Sequence, residues 1–199
     1  MPDYGRDLTF GYFLIPNAAD PLLDTARDIE ERGLDWIGIQ DHPYQRRFVD
    51  TWTLMGAIAA ATTRVGFFPD VANLPLRPPA VLGKAAASLD VLSGGRFELA
   101  LGAGSFWDAI EAYGGPRREP RDALAALEEA IQVIRLIWSG ERNLRFDGAR
   151  ITVSPVRSLG RYRCIPSVSG SACTVRARCV LPDGFPMGGC LPFVVTRPS

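Results

Sequence analysis

The residues best suited to chemistry in this chain are Asp41 and His42, which close the apolar run Leu34-Asp35-Trp36-Ile37-Gly38-Ile39-Gln40 just before Pro43. His42 is the only histidine, so any imidazole acid–base work falls to it, and its unperturbed pKa lies near neutrality. Asp41 is placed either to orient that imidazole or to bond the backbone of a neighbouring loop. A second candidate is Gly102-Ala103-Gly104, where the missing side chains permit close approach of the backbone to a flat ring or a phosphate. It is not the dinucleotide fingerprint, because Ser105-Phe106-Trp107 follows where a third glycine is required. Phe106 and Trp107 read as packing at a helix start or as the wall of a substrate pocket. Asp108, Glu111, Arg117 and Arg118 read as a solvated face or a subunit contact, so a homodimer is one expectation. Cys164, Cys173, Cys179 and Cys190 form no Cys-x-x-Cys pair and have no histidine nearby, so no metal site is expected.

The elements that must position these groups alternate between two periods. Leu8 to Pro16 reads as a buried first strand, and Asp20-Pro21 as a helix start with Asp20 as N-cap. Leu22, Ala26 and Ile29 recur at helical spacing until Gly33. The Leu34–Gln40 strand follows, then a helix from near Asp50 carrying Leu54, Met55, Ile58 and Ala59. Arg64 to Ala72 is a third strand, ending in the irregular stretch 73–79. A third helix starts at the prolines, with Val81, Ala85, Leu89 and Leu92 as its inner face, and stops at Gly94-Gly95. Arg96 to Leu101 is a fourth strand running into Gly102. The last helix spans roughly 121–138, with Leu124, Leu127, Ile131, Ile134 and Trp138 inside. Arg145 to Val153 reads as a hairpin turning at Asp147-Gly148. Four strand–helix repeats predict an α/β fold with a parallel sheet, which suits either an eight-fold barrel or an open doubly wound sheet.

The chain has 199 residues, 47% hydrophobic, with 22 basic and 22 acidic side chains. That balance favours neither nucleic acid nor an anionic membrane as a partner. No signal peptide or membrane-length apolar run is evident, so a soluble cytoplasmic protein is expected. The charge is unevenly spread: residues 1–152 hold 21 acids and 16 bases, whereas residues 153–199 hold one acid and six arginines. All four cysteines lie in that tail, which is therefore expected to be a separate, irregular segment.

Several segments together favour the barrel. Asp35 to His42, the proline-rich turn 73–79, AVLGKAAASLDVLSGGRFELALGAG (residues 80–104) and FWDAIEAYGGPRR (residues 106–118) resemble the bacterial luciferase-like family of oxidoreductases. The likeness runs from about Leu8 to Val153 and corresponds to the first half of a family barrel. It implies a TIM-barrel type fold, about four βα units forming a partial barrel, and FMN or the deazaflavin coenzyme F-420 as cofactor. It implies that His42, with Asp41, assists proton transfer as hydride leaves a small-molecule substrate. It also implies a non-proline cis peptide near Asp70-Val71, with Asp70, Val71, Ala72 and Asn73 supporting the cofactor ring, and Gly102 and Gly104 beside it. Some deazaflavin-dependent relatives carry a catalytic glutamate directly after the glycine pair; this chain has Ser105 there. The expected function is hydride transfer or monooxygenation. The alternative is a non-catalytic half barrel lacking the cofactor phosphate site, with a tail produced by a frame change near residue 153.

Overall fold

The structure, a computed structural model, describes residues 8–156, 162–169 and 172–179. Strand β1 (Gly11–Leu14) leads through α1 (Leu22–Glu31) to β2 (Trp36–Ile39), α2 (Thr51–Ala61) and β3 (Gly66–Pro69). A two-residue strand β4 (Ala72–Asn73) and a 3-10 turn (Leu74–Leu76) precede α3 (Pro79–Ser93), β5 (Leu99–Gly102), α4 (Trp107–Ala112) and α5 (Pro120–Trp138). Strands β6 (Leu144–Asp147) and β7 (Thr152–Val156) form the expected hairpin, and β8 (Tyr162–Ser169) and β9 (Ala172–Cys179) a second one.

β1, β2 and β3 are parallel and in register, Leu14 beside Ile39 and Ile39 beside Pro69. A parallel bridge between Phe67 and Phe97 continues the order to β5, and β4 pairs with β5. The carboxyl ends of β1, β2, β3 and β5 therefore lie along one rim, which is where barrel enzymes place their chemistry. Alternation divides each strand. Ile37, Ile39, Phe67, Leu99 and Leu101 are fully buried against Ala26, Ile29, Met55, Ile58, Leu82 and Ala86 of the helices. Trp36, Gly38, Gly66 and Phe68 occupy the other face. There the Trp36 ring lies over Gly66, where a Cβ would come within 2.4 Å of the indole.

Two polar clusters hold the repeats together. Glu30 of α1 accepts from the backbone N–H groups of Thr63, Arg64 and Val65 at 3.0, 2.7 and 2.8 Å. Burial works to raise its pKa, but these bonds bring it down to about 2 from an ordinary 4.5. The folded value lies below the unfolded one, so the stabilisation is complete above pH 4.5 and is lost as pH falls through about 2. Glu30→Ala is expected to cost roughly 1–3 kcal/mol at neutral pH and to flatten the acid limb of a urea-unfolding series. Arg96 supplies the second cluster: Nε donates to Ser93 O, Nη1 to Thr62 Oγ1 and Val65 O, and Nη2 to Ala59 O and Thr62 O. One guanidinium thereby closes the ends of α2 and α3 over the start of β3. Arg96→Lys keeps the charge but not the fork and should cost roughly 2–4 kcal/mol; an unchanged denaturation midpoint would remove this cluster from the account.

Four sequence readings are corrected. β1 is not buried: it pairs on one edge only among the described residues, and Phe10, Tyr12, Phe13 and Ile15 are 46–64% exposed. Asp20 does not cap α1; Pro21 takes the N-cap position and makes no side-chain cap bond. On α3 the buried side is Leu82, Gly83, Ala86, Ala87 and Leu89, while Val81 and Leu92 are 65% and 79% exposed. The reason is close packing. α5 approaches α3 at Gly83, whose carbonyl accepts from Trp138 Nε1 at 2.8 Å, and the small residues Gly83, Ala86 and Ala87 share the inner side with Leu82 and Leu89. Leu124 of α5 is likewise exposed, with Ala123, Ala126 and Ala130 inside.

The tail, read as irregular, contains β8 and β9, with β9 antiparallel to β5. Its signal is the two-residue alternation Cys173-Thr174-Val175-Arg176-Ala177-Arg178-Cys179, a strand pattern. Cys190 lies outside the described residues. No helix among the described residues is long and apolar enough to cross a membrane.

Candidate active site

Three of the four parallel strand ends carry the residues singled out from the sequence. At the end of β2, Asp41 is buried and His42 half-buried. Both Asp41 oxygens are engaged: Oδ2 accepts from Asn73 N at 2.9 Å and from Arg77 Nε at 3.0 Å, and Oδ1 from Arg77 Nη2 at 2.8 Å. Of the two roles open to Asp41, the geometry is that of loop support. Arg77 Nη2 also reaches Asp50 Oδ2 at 3.0 Å, and its guanidinium sits 5.5 Å from the Trp52 ring centroid. Burial by itself would lower the Arg77 pKa, but the two carboxylates reverse the shift and keep it firmly charged. Asp50 in turn caps α2 by accepting from Thr53 N, and Thr51 Oγ1 donates to Gln40 O at 2.6 Å. The ends of β2 and β4, the 3-10 turn and the start of α2 are thus one hydrogen-bonded unit.

His42 stands on this unit without joining it. Its Nδ1 lies 2.5 Å from Tyr44 Oη, and its ring meets Tyr44 and Phe106 edge-on, both with centroids at 5.3 Å. Tyr44 extends the cluster to Tyr113 at 6.2 Å. Burial lowers the His42 pKa below 6.5, and the charge of Asp41 only partly opposes this. The imidazole is therefore mostly neutral at pH 7. Among the described residues its Nε2 has no hydrogen-bond partner, which leaves one nitrogen available to a substrate.

The end of β3 supplies the second group. The Asp70–Val71 peptide is cis, at the position where the resemblance puts one. The Asp70 carboxyl lies over Gly38, with Oδ2 3.3 Å from where a Cβ would stand, and burial raises its pKa above 3.8. Ala72 and Asn73 pair with Leu101 and Gly102. Asn73 Oδ1 is buried without a partner among the described residues.

The third group is the end of β5. Gly102 is required by Val71, whose Cγ2 lies 2.5 Å from where a Cβ would be. Gly104 has φ +105° and leaves room for Pro75 and Trp107. These glycines let β5 close on the cis-peptide loop, so the Asp70–Asn73 and Gly102–Gly104 segments are brought into direct contact. Ser105 and Phe106 are exposed beside them.

Sequence reading missed Arg77, Tyr44 and Asp50. An arginine between prolines in an otherwise apolar turn is a weak pointer to the first, and a tyrosine two residues past the lone histidine to the second. Nothing local marks the ion pair that joins Arg77 to Asp41.

Residues 8–174 match the family model described as luciferase-like monooxygenase. The chain belongs to the luciferase-like monooxygenase family. The F420-dependent glucose-6-phosphate dehydrogenase of Kineococcus radiotolerans is 36% identical over 155 residues, covering 73% of this chain and 45% of that protein. The Nocardia farcinica enzyme of the same name is 32% identical over 153 residues, covering 71% and 45%. Luciferase-like proteins of known structure share the fold. An F420-dependent secondary alcohol dehydrogenase in complex with an F420-acetone adduct superposes with TM-score 0.68 at 25% identity over 75% of this chain and 48% of that one. The FMN-complexed oxygenating constituent of 3,6-diketocamphane monooxygenase from Pseudomonas putida superposes with TM-score 0.65 at 21% identity, over 76% and 44%. The fold is accordingly of the TIM-barrel type, and this luciferase-like chain spans about half the length of the curated relatives it matches.

Proposed function

We propose that the strand ends of this luciferase-like chain hold a deazaflavin or FMN ring and serve hydride transfer with a small organic substrate. The carrying observation is His42: half-buried, its pKa lowered by burial, hydrogen-bonded at Nδ1 and open at Nε2, on the rim it shares with the Asp70–Asn73 loop and Gly102. The residues present fit such a group. Asn73 Oδ1 is a spare buried acceptor, and Phe106, Tyr44 and Tyr113 offer flat apolar surface. Asp70, Val71, Ala72, Asn73, Gly102 and Gly104 would hold the ring. A bound flavin or deazaflavin supplies the hydride chemistry; the protein moves the proton.

In that role His42 Nε2 takes the hydroxyl proton of a substrate being oxidised, and Tyr44 fixes the ring that receives it. Asp41 is a positioning residue, setting the start of the His42 loop through Arg77 and Asn73. With Ser105 in place of the glutamate some relatives carry, Asp70 is the carboxyl at this rim with a raised pKa and the candidate for holding a second proton. The identities to F420-dependent enzymes favour the deazaflavin over FMN. Following deazaflavin absorbance with a panel of secondary alcohols and sugar phosphates tests the reading: substrate-dependent bleaching that disappears in His42→Asn supports it, and its absence from cofactor-saturated protein counts against it.

A second reading rests on β1, whose apolar edge residues are exposed. In it the chain is a non-catalytic half barrel without the cofactor phosphate site, and residues 153–199 arise from a frame change. Strong apolar-dye binding with no cofactor uptake would favour it, as would family-like sequence in another reading frame downstream of codon 153.

A further inference from the structure

Away from the strand ends, the 3-10 turn, the Tyr113–Arg118 turn and the β6–β7 hairpin enclose a cleft of about 500 Å³. That size suits a small molecule. Its walls are apolar at Leu74, Pro75, Ile151 and Val153, and it is lined by three arginines and no acid.

The three arginines are not equivalent. Arg77 is committed to Asp41 and Asp50. Arg150 leans on Asp122 through Nη2 and stands 4.0 Å from Glu129 through Nη1, while 34% of its side chain remains exposed. Glu129 also holds the hairpin, its carboxylate accepting from the N–H groups of Ala149, Arg150 and Ile151 at 3.1, 2.9 and 2.9 Å. Arg118 is half-buried and has no ion pair among the described residues. Burial and the charge of Arg150 both lower its pKa, with Asp122 and Glu129 opposing less strongly. Arg118 is thus a positive charge held partly out of water, beside a second one and facing a cavity without acids, with Asp122 and Glu129 near but neither in direct ion-pair contact with it among the described residues.

We propose that this cleft binds a phosphate-monoester dianion with an apolar body, its phosphate between Arg118 and Arg150 and its body against Leu74, Pro75 and Val153. The guanidinium forks match phosphate oxygens, Arg118 brings a charge not tied up in a direct ion pair while Arg150 adds donors beside its contact with Asp122, and the apolar wall discriminates against inorganic phosphate. The cleft adjoins the site proposed above at Tyr113, but Arg118 and Arg150 take no part in that site and the inference does not depend on it.

Calorimetric titration of phenyl phosphate into the folded chain tests the inference. Saturable one-to-one binding is expected, tighter by about tenfold than for inorganic phosphate or benzoate. Arg118→Gln should weaken it by about tenfold or more, and Ala80→Phe, which fills the cleft without touching the arginines, should abolish it. Arg117→Gln removes an equal charge outside the cleft and should leave binding within about twofold. No saturable heat up to about 10 mM, equal losses in the Arg117 and Arg118 variants, full binding in Ala80→Phe, or benzoate binding as well as phenyl phosphate would each overturn it. Circular dichroism of each variant establishes that it is folded.

Discussion

His42→Asn should lower the turnover of the proposed hydride transfer by about 10²–10⁴-fold while leaving cofactor binding nearly unchanged. Asparagine keeps a polar side chain at the end of β2 but cannot accept the substrate proton. The pH dependence is a separate test. Burial places the His42 pKa below 6.5, so the neutral, proton-accepting form prevails at pH 7. The rate of substrate oxidation should therefore fall on acidification at a lower pH than an ordinary histidine would give, and should be level above it. Tyr44→Phe, which removes the oxygen 2.5 Å from Nδ1, should change this profile more than it changes fold stability. A variant His42→Asn with undiminished turnover would take proton transfer away from this residue.

Asp41→Ala should be the most damaging single change to stability, at roughly 3–5 kcal/mol. The Asp41 side chain has no exposed surface and that of Arg77 only 21%. Removing the carboxylate leaves a buried guanidinium without its bidentate partner and the Asn73 N–H without an acceptor. Ordinary domains are stable by only about 5–15 kcal/mol, so the expected loss is a large share of the total. Arg77→Met removes the opposite charge and should be similarly costly, since it strands Asp41. The double variant should recover part of either loss, because no isolated buried charge remains. Guanidinium-unfolding midpoints of the two single variants and the double variant measure this. Strictly additive losses would show that the pair is not coupled.

Much of this site was legible because its parts lie at strand ends, and strand ends are marked locally. The apolar run into Asp41-His42, the Asp70-Val71 segment before the prolines and the Gly102-Ala103-Gly104 turn are all short patterns, and the structure sets them on one rim. What could not be read depends on partners far away in the chain. Asp41 is satisfied by Arg77, 36 residues on, and Glu30 by backbone groups 33 to 35 residues on. Residue size misled at α3, where Val81 and Leu92 point outward while Gly83, which meets α5 at Ile134, lies inward with Leu82, Ala86 and Ala87. Apolar content misled at β1, where Phe10, Tyr12 and Ile15 are half-exposed along the sheet edge. At β9 the alternation was present but hidden among cysteines and arginines.

The central claim is that one rim of four strand ends in this luciferase-like chain forms a cofactor-binding surface. Fluorescence titration of the chain with coenzyme F-420 and with FMN tests it most directly, reading the quenching of Trp52 and Trp107 alongside that of the cofactor. The account predicts saturable one-to-one binding at about micromolar concentrations, stronger for the deazaflavin. It also predicts that binding weakens about tenfold or more in Gly102→Val, whose side chain would displace Val71 from the rim. Folded protein that takes up neither cofactor at tens of micromolar, or a Gly102→Val variant that binds as well as the unaltered chain, would contradict it.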